Sequence, residues 1–309
     1  MKRVFVLIFP ILLYSQIVKP HREFKANGFV YDFTISKNRL YSATGVGEID
    51  VFSLGDGKMV DIIKIPQIEN FYGEKLFAKI YSVDIFQKSI LILTEARFGG
   101  RTIFIYKDRK LEKIFTSKSP IKKVKFINNV LFLYATLGNE LVLYDIWNSR
   151  EIYRKQINSS PFSDFDIFES EVAISSESGE ISICNIWTGS EIEVFKGENF
   201  DNVYKVAFEN QTILGAGQDR KLSIYKRGGE SSNLQADFLI YSVALSKNEK
   251  IGAFPFNQDN DIKVFSVNNG DILYTLTGQK STLNSMEFLN NKTLFTSSND
   301  EYILEWRLR

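Results

Sequence analysis

A pattern of alternating apolar and polar residues, bounded by turn residues, recurs seven times along the chain of 309 residues. Alternation with a period of two residues between turns is typical of half-buried antiparallel strands. One position fixes the register of every copy, and it holds an aromatic residue in six copies. The seven residues at this position are Phe52, Tyr106, Tyr144, Cys184, Tyr225, Phe265 and Trp306. Successive copies are therefore 54, 38, 40, 41, 40 and 41 residues apart.

A repeat of about 40 residues has room for four short strands, and seven such units predict a β-propeller. One four-stranded sheet alone would leave both faces bare, whereas seven sheets arranged radially bury each face against a neighbour. The predicted fold class is therefore all-β, a seven-bladed β-propeller that forms one domain over residues 17–309. The last unit ends in its third strand, so residues 21–25 are predicted to supply its outer strand and to close the ring.

The first 16 residues have the form of a secretory signal peptide. Lys2 and Arg3 precede an apolar run over residues 4–14, and a tolerable cleavage site follows at residues 13–15. The run is too short to span a bilayer comfortably, so we expect no stable membrane anchor. These features predict a monomeric protein exported to the periplasm. The alternative is an apolar first strand of the propeller, which would make the protein a cytoplasmic scaffold.

The composition argues against several classes of function. Lys and Arg total 38 while Asp and Glu total 37, a balance unlike the basic excess of nucleic-acid-binding proteins. One His and one Cys, His21 and Cys184, cannot assemble a zinc site, and we expect neither a metal nor a cofactor. The sequence contains no nucleophile–base arrangement and no phosphate loop, so we expect a protein that is not an enzyme. Cys184 is expected to be a buried, inert thiol.

Two departures from the repeat fall on one face of the expected ring. The long first spacing places extra residues at 66–79, between blades one and two, and the turn at residues 95–101 of blade two is also long. Long loops on one face of a ring are often binding loops. These loops carry the aromatic and Arg residues that dominate interface hot spots, and the predicted partner-binding residues are Phe71, Tyr72, Arg97, Phe98 and Arg101. The alternative is that the insertion folds back to plug the ring or to cover blade two.

Charged residues on the predicted inner strands keep a second class of function open. Propellers that bind small ligands or catalyse reactions line their central channel with such residues, and Asp84, Asp164 and Asp166 are the candidates here. A small-ligand-binding or enzymatic propeller is therefore the alternative to a protein-binding scaffold. A short basic run is interpreted as a solvated blade edge, or else as a contact for an acidic partner; its members are Lys118, Lys122, Lys123 and Lys125.

The repeats resemble those of WD-repeat propellers. The resemblance is carried by two stretches, AGQDRKLSIY and SSNDEYILEW, which correspond to the family's second strand, turn and third strand. Asp219 and Asp300 in these stretches match the family's structural turn Asp. Glu198 and Gln279 stand where the family has the His of its Gly-His pair. The family's hydrogen-bond network of Asp, His, Ser or Thr, and Trp is therefore expected to be incomplete in every blade.

A narrower resemblance concerns the whole architecture. A short leader followed by a degenerate seven-bladed WD-type ring is similar to the NapL family, accessory proteins of periplasmic nitrate reductase systems. Part of the likeness lies in the opening, at Lys19-Pro20 and residues 26–32. Members of that family are inferred to be non-catalytic helpers of the reductase. The resemblance implies a non-catalytic periplasmic accessory or scaffold protein whose partner is a nitrate reductase component.

Overall fold

The computed structural model describes residues 15–309, which form a closed ring of seven β-sheets. The predicted seven-bladed β-propeller is therefore confirmed. Each blade is an antiparallel meander whose first strand lines a central channel and whose fourth strand lies at the rim. Most of the predicted signal peptide, residues 1–14, lies outside the described residues. Within residues 15–309, no helix has the length and apolar character that a membrane crossing needs.

The strands follow one another around the ring in chain order. The first strands among residues 15–309 are β1 (Gln16–Val18) and β2 (Arg22–Lys25). Blade one follows with β3 (Val30–Ser36), β4 (Arg39–Thr44), β5 (Glu48–Ser53) and β6 (Met59–Lys64). An inserted hairpin has β7 (Ile68–Glu69) and β8 (Lys75–Leu76). Blade two has β9 (Ile80–Phe86), β10 (Ser89–Glu95), a 3-10 turn (Arg97–Gly99), β11 (Arg101–Lys107) and β12 (Lys110–Ser117). Blade three has β13 (Ile121–Phe126), β14 (Leu131–Thr136), β15 (Glu140–Asp145) and β16 (Arg150–Gln156).

The remaining blades repeat this arrangement. Blade four has β17 (Phe162–Phe168), β18 (Glu171–Ser176), β19 (Ile181–Asn185) and β20 (Glu191–Phe195). Blade five has β21 (Val203–Glu209), β22 (Thr212–Gly217), β23 (Lys221–Lys226) and β24 (Ser232–Gln235). Blade six has β25 (Ala244–Leu245), β26 (Ile251–Pro255), β27 (Ile262–Ser266) and β28 (Ile272–Leu276). Blade seven has β29 (Leu283–Asn290), β30 (Thr293–Ser298) and β31 (Tyr302–Arg307).

The register position found in the sequence lies on the third strand of every blade. Its side chain faces a residue of the second strand, as Phe52 faces Leu40 in blade one. In blade six the facing residue is Gly252, and a Cβ added there would lie 2.5 Å from the ring of Phe265. Gly252 is therefore the residue that lets blade six accommodate a large aromatic side chain at the register position. Cys184, the one non-aromatic member, is fully buried as predicted.

Residues near the start of the chain close the ring, as predicted. Strand β2 pairs antiparallel with β31 and becomes the outer strand of blade seven. Phe24 of β2 is fully buried, and its ring centroid lies 5.7 Å from that of Phe52 in blade one and 5.9 Å from that of Phe295 in blade seven. The side chain of Phe24 therefore packs the first blade against the last one.

Strand β1 was not predicted from the sequence. It pairs in parallel with β28, so that Gln16 lies opposite Tyr274 and Val18 lies opposite Leu276. Blade six therefore has five strands, and two adjacent segments, β1 and β2, attach to two successive blades. The predicted boundary between signal peptide and propeller, at residues 16 and 17, falls inside this strand.

The inner strand of blade six is shorter than predicted. The sequence pattern places it at residues 241–245, but only Ala244–Leu245 pairs with β26. Upstream, the Ile240 N–H donates to the Gly217 carbonyl of blade five instead of joining the ladder. Ile240 and Val243 are buried in the apolar core shared by blades five and six, so packing holds this segment where strand pairing does not.

Blade seven contains a buried hydrogen-bond chain without His. Trp306 Nε1 donates to Thr296 Oγ1 at 2.9 Å, and Thr296 Oγ1 donates to Gln279 Oε1 at 2.7 Å. Gln279 Nε2 then donates to Ser298 Oγ at 2.6 Å. An amide offers both an acceptor and a donor, so Gln279 bridges two hydroxyls as a neutral imidazole would. The His-based network of WD-repeat propellers is absent from blade seven, as expected, and an amide-based one stands in its place.

Asp219 and Asp300, the two turn aspartates singled out in the sequence, accept hydrogen bonds at the turns between second and third strands. Asp300 Oδ1 accepts the N–H of Tyr302 at 2.9 Å and stands outside the chain formed by Gln279. Asp219 Oδ1 accepts a hydrogen bond from Asn199 Nδ2 at 3.0 Å. In blade five, the side chain that hydrogen-bonds to the turn Asp is therefore that of Asn199. Glu198, which stands at the family's His position in the sequence, does not take this role.

Candidate functional site

The insertion between blades one and two forms a small antiparallel hairpin, here called the insertion hairpin (residues 66–79). Its tip is shaped by Asn70, whose Oδ1 accepts the N–H groups of Tyr72 and Glu74 at 2.9 Å each. Phe71 and Tyr72 at the tip are 82% and 84% exposed, with perpendicular rings 5.6 Å apart. Phe71 therefore projects from the ring and does not fold back over it.

The long turn of blade two lies beside the insertion hairpin. Arg97 Nη2 donates to Glu69 Oε2 at 2.7 Å, and Arg97 Nε donates to the Glu69 carbonyl at 3.1 Å. Phe98 follows with a left-handed backbone (φ 58°, ψ 34°) and an 83% exposed side chain. That backbone is unfavourable for a bulky residue, and the exposed ring gains little burial in return. Phe98 is one of several non-glycine turn residues with a positive φ, and it differs from the others by its exposed aromatic ring.

A cleft of about 670 Å³ opens between the insertion hairpin and blade two. Apolar parts of Ile68, Phe98 and Phe104 line it, and Lys113 and Lys118 stand among its lining residues. Two of the five predicted partner-binding residues, Arg97 and Phe98, therefore line this cleft. Phe71 and Tyr72 lie at the tip of the hairpin whose base forms one wall of the cleft, and we call this side of the ring the hairpin face.

Arg101, the fifth predicted residue, points elsewhere. Its guanidinium carbon lies 4.2 Å from the centroid of the Tyr81 ring, at the mouth of the central channel. Its Nη1 donates to the carbonyls of Gly99 and Gly100 at 2.9 and 2.8 Å. Its Nε is buried and has no hydrogen-bond partner within the described part of the chain. The structure therefore separates Arg101 from the aromatic residues with which the sequence grouped it.

Two rings of inner-strand side chains line the channel, which has a volume of about 350 Å³. Each inner strand starts at the hairpin face, so the residues that come first form the upper ring. The upper ring consists of Asp32, Ser82, Lys123, Asp164, Lys205, Ser242 and Ser285. The lower ring consists of Thr34, Asp84, Lys125, Asp166, Ala207, Ala244 and Glu287. Asp84, Asp164 and Asp166 therefore line the channel, as the sequence predicted for inner-strand residues.

Lys123 and Lys125 form ion pairs inside these rings. Lys123 Nζ lies 2.7 Å from Asp164 Oδ1, and Lys125 Nζ lies 2.7 Å from Asp166 Oδ1. The interpretation of these two lysines as a solvated blade edge was therefore wrong. The sequence carries a signal for the pairs, because each Asp stands 41 residues after its Lys, at the same position of the next repeat.

The channel aspartates also join successive blades. Each accepts a backbone N–H from the inner strand of the following blade, at 2.7–3.3 Å: Asp32 from Val83, Asp84 from Phe126, Asp164 from Val206, and Asp166 from Phe208. A buried backbone N–H without a partner is costly, so these carboxylates serve the fold itself. Their presence in the channel therefore does not by itself indicate catalysis.

The pKa values of the lower-ring carboxyls differ, because burial and the nearby lysines act on them in opposite directions. Burial raises the pKa of Asp84 to about 6 and that of Glu287 to about 8, because the attraction of Lys125 offsets only part of the burial. Burial would also raise the pKa of Asp166, but the positive charges of Lys125 and Lys123 outweigh it and lower that pKa. Glu287 is therefore mostly protonated at neutral pH, and the lower ring carries less negative charge than its composition implies. Within residues 15–309, no cluster of His, Cys, Asp or Glu is arranged to hold a metal ion.

No family model matches the chain. Among solved structures, the chain is similar to the crystal structure of the β-propeller domain of Cps50 (Swd1) from Myceliophteria thermophila. The TM-score is 0.75 and the sequence identity 13%, over 94% of this chain and 99% of that one. At this identity the likeness shows the fold alone. It supports a WD-repeat-like seven-bladed propeller, and nothing in the comparisons supports the narrower NapL resemblance.

Proposed function

We propose that this propeller is a non-catalytic scaffold that binds a protein partner on its hairpin face. The observation that carries the proposal is the exposure of Phe71, Tyr72 and Phe98, each above 80%, on two segments joined by an ion pair. Contiguous apolar patches on soluble proteins commonly mark interaction sites, and aromatic side chains are enriched among interface hot spots.

Two further features of the hairpin face favour docking. The cleft of about 670 Å³ offers a concave site for an anchoring side chain of the partner. The ion pair between Arg97 and Glu69 holds the turn against the insertion hairpin, so little order has to be gained on binding. Phe98 is held in its unfavourable backbone conformation before any partner arrives, which is typical of a pre-organised contact.

We also propose that the protein binds its partner in the periplasm. The basic start and apolar run of the first 15 residues support export, followed by removal of a leader. We propose cleavage after Ser15, because cleavage after Gln16 would remove the first residue of β1. A nitrate reductase component is the first partner to test, since the resemblance of the leader and opening names that class of protein.

A second candidate function uses the channel as a small-ligand site. Asp84 and Glu287 favour it, because neither forms an ion pair among residues 15–309 and both line a space of about 350 Å³. The structural hydrogen bond from the Phe126 N–H to Asp84 weakens this alternative. The scaffold function is therefore preferred.

The partner is first identified by capture on the tagged protein and is then purified. The test compares the affinities of two variants for this partner. Phe71→Ala combined with Phe98→Ala removes the two exposed rings. Trp147→Ala is the matched control, because Trp147 is also 83% exposed but lies on a turn of the opposite face. Arg97→Ala is less suitable, since it would also break the contact with Glu69.

We expect the double variant to weaken the partner's affinity at least about 10-fold, with an unchanged melting temperature. We expect Trp147→Ala to leave the affinity unchanged. The opposite pattern would assign docking to the other face. A wild-type protein that binds no partner saturably would refute the scaffold function.

A further inference from the structure

The mouth of the channel on the hairpin face is a pocket of about 250 Å³ with an excess of positive charge. Its charged lining residues are four cations and two carboxylates: Arg101, Lys122, Lys123, Lys205, Asp32 and Asp164. The pocket therefore has a formal charge imbalance that nothing in the upper ring removes. An imbalance of this kind attracts anions to a cleft.

The excess charge belongs to two particular residues. Asp164 forms ion pairs with both upper-ring lysines: its Oδ1 lies 2.7 Å from Lys123 Nζ and 3.7 Å from Lys205 Nζ. Neither Arg101 nor Lys122 has a carboxylate within 4.0 Å in the chain from residue 15 onward. These two cations are therefore free to meet an incoming anion.

Arg101 and Lys122 also lie near other positive charges: each is close to the other, and Lys122 is close to Lys205. Partial burial, followed by the positive charges of Arg101 and Lys205, lowers the pKa of Lys122. Arg101 cannot relieve the repulsion by losing its proton, because a guanidinium stays charged. An anion bound between Arg101 and Lys122 would remove this repulsion, which makes its binding favourable.

The geometry of Arg101 is fixed in advance. Stacking on Tyr81 and two hydrogen bonds from Nη1 hold the guanidinium in place, while its buried Nε donor is unused within the described chain. With Nη1 engaged and Nε buried, Nη2 is the donor that can give a carboxylate oxygen a charge-assisted hydrogen bond. A pocket of about 250 Å³ accommodates one acidic side chain, not a nucleotide or a folded segment.

We propose that this cationic mouth binds a carboxylate, presented by an acidic side chain of the protein that docks on the hairpin face. The inference rests on the proposed function and deepens it, because it states the chemistry that the partner must offer. Arg101 follows Phe98 by three residues on the same turn, so one partner can cover the cleft and the mouth together. A free small carboxylate would use the same contacts, and the experiment separates the two sources.

Two probes test the mouth on the mature chain without any partner, by NMR chemical-shift titration at low ionic strength. Succinate represents a free carboxylate, and an acetylated hexapeptide containing Asp and Glu represents the partner. The variants are Arg101→Gln and Lys122→Gln. Lys196→Gln is the matched control, because it removes the same charge from an exposed Lys on the connection between blades four and five, on the same face, that lines neither the cleft nor the mouth.

We expect each mouth variant to lower the affinity for both probes about 10-fold, and the Lys196→Gln control to lower it less than about 2-fold. Lys122→Gln guards against a disturbed turn in Arg101→Gln, because Lys122 lies on β13, outside that turn. We also expect both mouth variants to lower the affinity for the partner. The difference from wild type should become smaller as salt is added.

Three outcomes would contradict the proposal. Wild-type protein that binds neither probe would overturn it, and so would titrations that are unchanged in both mouth variants. Succinate binding with an unchanged partner affinity in both variants would assign the mouth to a free carboxylate and overturn the partner source. If the probes bind as expected but no partner is found, the scaffold function and the partner as source of the carboxylate are refuted, while carboxylate binding at the mouth stands.

Discussion

Replacing Glu287 with Gln should stabilise the propeller, by an amount that grows with pH. Glu287 lies in the lower ring and forms no ion pair within residues 15–309. Its pKa is about 8, compared with 4.5 for an unperturbed Glu, because burial and the charges of Asp32 and Asp84 outweigh the attraction of Lys125. Gln keeps the size of the side chain and cannot acquire the charge that the channel disfavours.

The magnitude follows from the two pKa values. Between pH 4.5 and about 8, the unfolded chain has lost a proton that the folded chain keeps. Stability therefore falls as pH rises through this window, by at most about 1.4 kcal/mol per pH unit or about 5 kcal/mol in all. Channel water and movement of Lys125 reduce the effect, so we expect a gain of about 2 kcal/mol for Glu287→Gln at pH 8 and almost none at pH 4.

The assay is urea denaturation of the wild type and the variants from about pH 3 to about pH 9, followed by tryptophan fluorescence. Asp166→Asn in the same ring is the control with the opposite sign. Its lowered pKa means that ionised Asp166 stabilises the fold above pH 3.8, and that this stability is lost as pH falls. Asp166→Asn should therefore be destabilising at pH 7 and less so near pH 3. A Glu287→Gln protein whose stability runs parallel to wild type at every pH would refute the reasoning.

The remaining predictions concern ring closure and the amide network. Phe24→Ala should lower the free energy of unfolding by about 4 kcal/mol, because it removes the fully buried ring at the closure, whereas Glu23→Ala on the same strand should cost less than about 0.5 kcal/mol. Equal urea midpoints for these two variants would contradict the closure role. Gln279→Leu should cost about 2 kcal/mol, because Thr296 and Ser298 lose a buried hydrogen-bond partner, and Gln279→His should cost less. Equal losses from Leu and His would show that the bridging hydrogen bonds contribute little.

The ring could be predicted because repetition is a signal that extends over the whole chain. The register residues, from Phe52 to Trp306, set the number of blades, and each proved to lie on a third strand. Strand β1 could not be predicted, because Gln16–Val18 is too short to show a period and follows the apolar run assigned to the leader. Its parallel partner in blade six is distant in sequence and leaves no local signature.

The candidate aspartates of the channel were placed correctly from the sequence, but its lysines were not. Alternation shows which side chains of β13 share a face, but it does not show whether that face meets solvent or the channel. Lys123 was misassigned for this reason, although an Asp at the same position of the next repeat indicated its partner. The projection of Phe71 and the separation of Arg101 from Phe98 depend on loop conformation. Loop conformation has no periodic pattern in sequence from which it could have been read.

Closure by β2 has a consequence for the order in which the molecule folds. The outer strand of blade seven, β2, precedes blade one in the chain, whereas its neighbour β31 follows every other strand described in residues 15–309. Blades can stack as the chain emerges, but Phe24 stays without Phe295, and β2 without its neighbour β31, until blade seven has been synthesised. Joining segments so far apart carries a large entropic cost and comes late. The half-made ring therefore carries an open sheet edge and an exposed aromatic ring, and this interval is when the protein is most prone to aggregate.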